Sequence, residues 1–258
     1  MQKGFKNELD YVTLLNNKKI SNLPNNIQEM IYAIFKNINN NDKISCWQSK
    51  YLEKADIKIK INSTIKGISI KSGNNSSIHQ ENINNLEHFL LRIGIDNYII
   101  NLLKKYLQGY VNKKRVSATI YCEHNSKDIE ILKSAFNDYY VRTNLILRFI
   151  FQGTELHKYD CDAIILGTPS SFLWATKNEI LKYLIEADIE TNSISSIPIG
   201  RLTMKSYDRN LRGNIEKIKC QNDIQIKWIN LKTDLEYITK IRESNKILKF
   251  SNISNYTQ

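Results

Sequence analysis

Between Asp56 and Lys71 apolar and polar positions alternate. Ile57, Ile59 and Ile61 fall on one side, and Asp56, Lys58 and Lys60 on the other. A period of two is the signature of a half-buried strand. The polar break Asn62-Ser63-Thr64 reads as a turn. Ile68 and Ile70 then resume the apolar side, and Ser69 and Lys71 the polar side. If the two segments pair as a hairpin, Asp56 and Lys71 project from one face of a sheet. After Ser72-Gly73-Asn74-Asn75 the pattern predicts a helix from near Ile78 that carries Glu81.

Elsewhere helical spacing dominates. Gly4 to Asn17 predicts a helix in which Glu8 shares a face with Val12 and Leu15. A carboxylate at the edge of an apolar stripe is costly without a partner, although the helix dipole alone favours an acid near the start. Asn26 to Asn37 predicts a second helix, and Ile44 to Gln48 a short strand. Ile83, Leu86, Phe89, Leu90 and Ile93 form a helical stripe that stops at Gly94. Asp96 caps a further helix through Leu107, and Ser126 one that runs to Phe136. Val116 to Tyr121 reads as a strand, Val141 to Phe151 as a buried helix and Phe172 to Ala187 as an amphipathic helix. Cys161 to Leu166 is a continuous apolar run of strand length, as expected deep in a mixed sheet. From Pro198 onward, polar residues and the alternating IQIKW predict a β-rich ending, with a polar tail from Ser251. This order implies an α/β fold with a mixed sheet flanked by helices. The core is expected over residues 1–190, with a β-rich extension over 191–258 packed on it.

Composition narrows the classes. At 258 residues and 41% hydrophobic, the chain can bury a large core. Its net charge of +11 favours a polyanionic partner, although the abundance of Asn, Lys and Ile is also what AT-rich coding produces. Cys46, Cys122, Cys161 and Cys220 form no CxxC pair, so reduced thiols and a cytoplasmic setting are expected rather than zinc or disulfides. No run is long enough to span a bilayer, and Met1-Gln2-Lys3-Gly4 opens no signal core.

Glu8, Asp56 and Ser69-Ile70-Lys71 together resemble the site of the PD-(D/E)XK nuclease superfamily, the fold of restriction endonucleases and Holliday-junction resolvases. The opening KGFKNELDYVTLL is similar to the first helix of many such enzymes. The resemblance covers roughly the first 95 residues. It implies a restriction-endonuclease-like fold and a metal-dependent phosphodiesterase. The chain departs from the pattern at Ser69, where an acid stands two before the lysine, and at Ala55, where a proline precedes the aspartate. Some restriction enzymes of this superfamily also place Ser there and take the acid from the following helix. Glu81 then supplies it, with Gln80 or Glu8 as the other candidates.

The chemistry suits these residue types. Mg²⁺ prefers oxygen ligands and keeps several waters, so few carboxylates suffice. Asp56, Glu81 and Glu8 are the candidate ligands. Lys71 would hold the attacking water and stabilise developing charge, with Ser69, His79 and Gln80 in support. Arg201, Lys205, Arg209, Asn210 and Arg212, with Tyr207 between them, are the expected DNA contacts. A solvated basic segment would look the same. The expectation is a Mg²⁺-dependent endonuclease for double-stranded DNA, of restriction or host-defence type, in which a two-fold dimer would let two sites cut both strands. The alternatives are a Holliday-junction resolvase and a nucleic-acid-binding protein that kept the fold without catalysis.

Overall fold

In the computed structural model the described residues are 3–50, 53–73, 77–154, 160–189, 194–207 and 222–254, with backbone alone for Lys3 and 246–254. Helices α1 (Lys3–Leu15) and α2 (Asn25–Ile34) lead to strands β1 (Ile44–Gln48), β2 (Ile57–Ile61), β3 (Thr64–Lys71) and β4 (Ser77–Asn82). Next come α3 (Ile83–Arg92), α4 (Asn97–Gln108) and the short strands β5 (Tyr110–Val111) and β6 (Lys114–Arg115). Helices α5 (Ala118–His124), α6 (Ser126–Asn137) and α7 (Tyr139–Ile146) run into a π-helical turn, Leu147–Gln152. Then follow β7 (Cys161–Thr168), β8 (Ser171–Thr176), α8 (Lys177–Glu186), β9 (Ile197–Ile199), β10 (Leu202–Ser206), β11 (Asp223–Lys227) and α9 (Leu231–Ser254).

These elements form two compact units interleaved in sequence. The first comprises Met1–Asn75, His157–Tyr183 and Asn230–Gln258; the second comprises Ser76–Leu156 and Leu184–Ile229.

The first unit holds a five-stranded mixed sheet in the order β1-β2-β3-β7-β8. β1, β2 and β3 pair antiparallel, β3 and β7 parallel, and β7 and β8 antiparallel. The alternation read from the sequence sets its core. Ile57, Ile59, Ile61, Ile68 and Ile70 join Tyr11 and Leu15 of α1 and Ile27, Met30 and Ile31 of α2 in one apolar cluster. Each such side chain contributes about 1.5–3 kcal/mol when fully buried. Asn62 turns the hairpin at φ 55°, a left-handed conformation that Asn tolerates. Gly67 is required where β3 meets β7, since a Cβ there would lie 2.5 Å from the Asp160 carbonyl oxygen and 2.8 Å from Ala55 Cβ. The polar side of β2 is not uniformly solvated. Lys58 is buried, and its ammonium pairs with Glu53 at 2.7 Å.

The second unit holds an antiparallel sheet in the order β4-β11-β10-β9. Helices α3, α4 and α6 and the π-helical turn pack on it. The fold is thus α/β with a mixed central sheet flanked by helices, as the element order implied.

Four segments differ from the sequence expectation. Residues Ser77–Asn82 are a strand, and the helix starts only at Ile83, where Asn82 caps it by accepting from the Asn84 N–H. Val116 to Tyr121 is not a strand, because Ser117 accepts from the Ile120 N–H and caps α5. The helix expected over Phe172 to Ala187 begins at Lys177; Ser171–Thr176 is instead β8, paired along β7. The ending is β-rich only to Lys227. Leu231, Leu235 and Ile238 then bury one stripe of α9.

Candidate active site

The first unit gathers one set of ionisable side chains at the end of the β2–β3 pair. Asp56 immediately precedes β2, and its N–H donates to the Ile68 carbonyl at 2.8 Å. Its Oδ2 accepts from Ser69 Oγ at 2.9 Å and from the Ile70 N–H at 2.5 Å. Lys71, the last residue of β3, holds its Nζ 3.9 Å from the same oxygen. The Asp56 and Lys71 side chains are 27% and 22% exposed, so a ligand can reach both.

Helix α1 adds Glu8. Asn7 fixes that helix by donating from Nδ2 to the Gly167 carbonyl at the end of β7, at 2.9 Å. Glu8 Oε2 accepts from Gln48 Nε2, at the end of β1, at 3.3 Å. Burial raises the Glu8 pKa above the usual carboxylate range, and the negative charge of Asp56 adds to it; Gln48 and Lys71 act in the opposite sense. Glu8, Asp56 and Lys71 therefore share one electrostatic environment. Among the described residues, Asp56 Oδ1 and Glu8 Oε1 accept no hydrogen bond. Carboxylate oxygens of this kind are the donor type that a Mg²⁺-like cation takes. No group of three His, Cys, Asp or Glu able to hold a metal ion occurs among the described residues.

Cys161 is near enough to feel the charges of Asp56 and Lys71, but burial pushes its thiol up to about 12. A thiolate nucleophile is therefore excluded at neutral pH. Cys46 is likewise buried, with its thiol at about 12. Cys122 is buried too, and Cys220 lies outside the described residues.

Glu81 has different company. It belongs to the second unit and sits on strand β4, not on a helix. Arg148 clamps its carboxylate through Nε at 2.9 Å and Nη2 at 2.6 Å, and His79 Nε2 lies 3.1 Å away. Burial alone would raise this carboxyl, but the contacts from His79 and Arg148 outweigh it and hold its pKa below the usual range. Glu81, expected to supply the acid missing at Ser69, has both carboxylate oxygens engaged by Arg148, with His79 beside one of them. His79 is buried against Phe149, with ring centroids 5.4 Å apart. Gln80, between them, is exposed on the other side of β4. Ser69 is buried and serves Asp56 as a donor.

Of the expected DNA contacts, Arg201 and Lys205 are half-buried, in the turn before β10 and on β10 itself. Arg209, Asn210 and Arg212 lie outside the described residues. The sequence reading missed Gln48 and Arg148. An arginine inside the apolar run LILRFIF was a signal, since a charge buried there demands an acid. Gln48 carried none.

No protein-family model and no curated protein matches the chain. Among solved structures it is similar to restriction endonuclease MspI in complex with its cognate DNA, at 14% identity and a TM-score of 0.49, over 85% of this chain and 87% of that one. Among the described residues no helix is long and apolar enough to cross a membrane.

Proposed function

We infer that the chain is a metal-dependent endonuclease that hydrolyses phosphodiester bonds of double-stranded DNA, of restriction or related defence type. One observation carries the reading: Lys71 Nζ stands 3.9 Å from Asp56 Oδ2, with Glu8 in the same electrostatic environment, at a place ligand can reach. Asp56 and Glu8 would hold Mg²⁺ through the oxygens that accept no hydrogen bond. When bound, such an ion offsets phosphate charge and makes a bound water acidic. The residues divide the remaining work. Ser69 Oγ and the Ile70 N–H fix Oδ2, so Asp56 presents its other oxygen in one orientation. Gln48 does the same for Glu8. Lys71 has no closer anion than Asp56 among the described residues, which leaves its ammonium available to orient a water and to stabilise charge on a phosphate oxygen.

A second reading is a nucleic-acid-binding protein without catalysis. It is favoured by Ser69, which stands where the resemblance implies an acid and spends its hydroxyl on Asp56. Incubation of supercoiled plasmid with the purified chain, with and without Mg²⁺, separates the two. Nicking or linearisation that requires Mg²⁺ and is lost in Lys71→Ala supports the endonuclease. Intact plasmid bound by the protein supports the second reading.

A further inference from the structure

The four-stranded sheet of the second unit has faces of opposite character. One carries His79, Glu81, Ile224, Ile226 and Met204, all buried. It meets the helices through Arg148, Phe149 and a hydrogen bond from Ser206 Oγ to the Leu107 carbonyl at 3.3 Å. The residues between those positions define the other face. Register places Gln80 opposite Gln225, and Gln225 opposite Lys205, in a row across β4, β11 and β10. In the adjacent row Lys227 lies opposite Thr203, with Ser77 on its other side.

On this face Gln80 is exposed, Gln225, Lys205 and Lys227 are half-buried, and Thr203 is buried. Gln225 Nε2 reaches Ser77 Oγ at 3.4 Å. Among the described residues, the side chains of Gln80, Lys205 and Lys227 make no hydrogen bond or salt bridge. Burial, and then the charge of Lys227, lower the Lys205 pKa from its ordinary value. Asp223, at the start of β11, lies on this face too, and its Oδ1 accepts from Asn82 Nδ2 at 3.0 Å. Two neighbouring ammonium groups that form no salt bridge among the described residues are relieved by an anion. Two side-chain amides in line with them each offer a donor beside an acceptor.

The spacing suits nucleic acid. A row across three strands spans roughly 10 Å at about 4.8 Å per strand, close to three base-pair steps of about 3.4 Å. β4 is an edge strand of this sheet among the described residues. A major groove about 12 Å wide admits a two-stranded ribbon, and there glutamine matches adenine N6 and N7 while lysine matches guanine O6 and N7. We propose that this face reads base edges in the major groove of double-stranded DNA, with Gln80 and Gln225 recognising adenine and Lys205 and Lys227 contacting guanine or phosphate. The choice of partner rests on the proposed nuclease reading; the assignment of the face does not.

The test selects duplexes from a pool with a randomised centre, using the full chain without divalent ions, and sequences the bound fraction. Affinities for the enriched and a scrambled duplex then follow by fluorescence anisotropy over a salt series. Gln80→Met and Gln225→Met keep side-chain length and remove the amide. Each is expected to bind the enriched duplex roughly 5- to 150-fold more weakly, to lose enrichment at A·T positions and to bind the scrambled duplex unchanged. Gln80→Glu, at an exposed position, is expected to weaken both, and melting curves check that each variant is folded. Lys227→Met is expected either to relax a G·C position or to lower the salt slope by about one. Variants that match the parent on both duplexes overturn the proposal, as does a parent that enriches no sequence. A parent that prefers single-stranded RNA overturns it and points to RNA instead. A chain that selects sequence through these glutamines yet leaves plasmid uncut keeps this inference and drops the nuclease; one that cuts plasmid while the variants select normally does the reverse.

Discussion

Asp56 in one unit and Glu81 in the other are carboxylates placed by strands, and they are satisfied to different degrees. Glu81 is sealed in by two arginine contacts and a histidine, all at 3.1 Å or less. Asp56 has one oxygen fixed by Ser69 and Ile70, one oxygen that accepts nothing among the described residues, and a lysine no closer than 3.9 Å. A buried ion that is fully paired is part of the structure, and removing a partner leaves a charge that the interior cannot solvate. A half-buried ion with spare lone pairs is held in position but left incomplete, and that incompleteness is what a ligand uses. Proximity of acids in sequence could not tell the two apart; the identity of their partners does.

The comparison is broken most directly at Arg148. Arg148→Met should destabilise the fold by about 3–5 kcal/mol, measured by urea denaturation, because Glu81 is left buried without its guanidinium. Adding Glu81→Met should recover most of the loss, and a double variant no more stable than the single one would mean that the pair is not self-contained. The Glu81 contribution is complete above pH ~4.3, where an unfolded glutamate is ionised, and is lost as pH falls through the lower folded value. At the other carboxylate the expected effect is on rate. Lys71→Met should lower plasmid cleavage by about 10²–10³-fold while the melting temperature barely moves, since the Lys71 side chain approaches no acid closer than 3.9 Å. Equal losses of stability at Lys71 and Arg148 would erase the distinction.

Smaller effects sharpen it. Ser69→Ala removes a donor to Asp56 and should cost about 1.5 kcal/mol, at the low end for a charged acceptor because water can reach a half-buried carboxylate. Glu8→Gln should raise the melting temperature slightly at neutral pH. The raised pKa of Glu8 means that its ionised form is disfavoured in the folded chain. That penalty is present above the folded pKa and vanishes below about pH 4, where the carboxyl is protonated in both states. Wild type and Glu8→Gln should therefore melt together in acid and separate as pH rises.

Much of the first sheet was legible because its signals are local. Ile57, Ile59 and Ile61, and after the turn Ile68 and Ile70, repeat every second residue, and the burial of these five follows from that spacing. The second sheet was less legible. Ser77–Asn82 reads as polar, and Glu81 and His79 are buried only because Arg148 and Phe149 arrive 67 and 70 positions later to meet them. The start of α8 did carry a mark. Thr176 and Glu179 form a reciprocal capping box, with Thr176 N–H and Oγ1 both donating to Glu179 Oε2 at 2.8 Å. The apolar run Phe172-Leu173-Trp174-Ala175 masked it by extending the helical pattern backwards. Leu231, Leu235 and Ile238 likewise carry the spacing of α9. Residue types and alternation predicted that Asp56 and Lys71 come together, whereas Glu81, expected on a helix, lies on a strand beside Arg148 and His79.

The parallel pairing of β3 with β7 bears on how the chain is made. Gly67 donates its N–H to Asp162, a residue 95 positions further on. A ribosome adding about 5–20 residues per second needs roughly 5–20 s to supply that stretch. For that interval the β1–β2–β3 meander is out of the exit tunnel with the flank of β3 uncapped, and Lys71 has no neighbouring strand beside it. An open strand edge of this kind is a template for wrong partners. Newly made chains should therefore engage chaperones during this window, and a nascent chain cannot finish its first sheet until the second unit's leading segment has been translated.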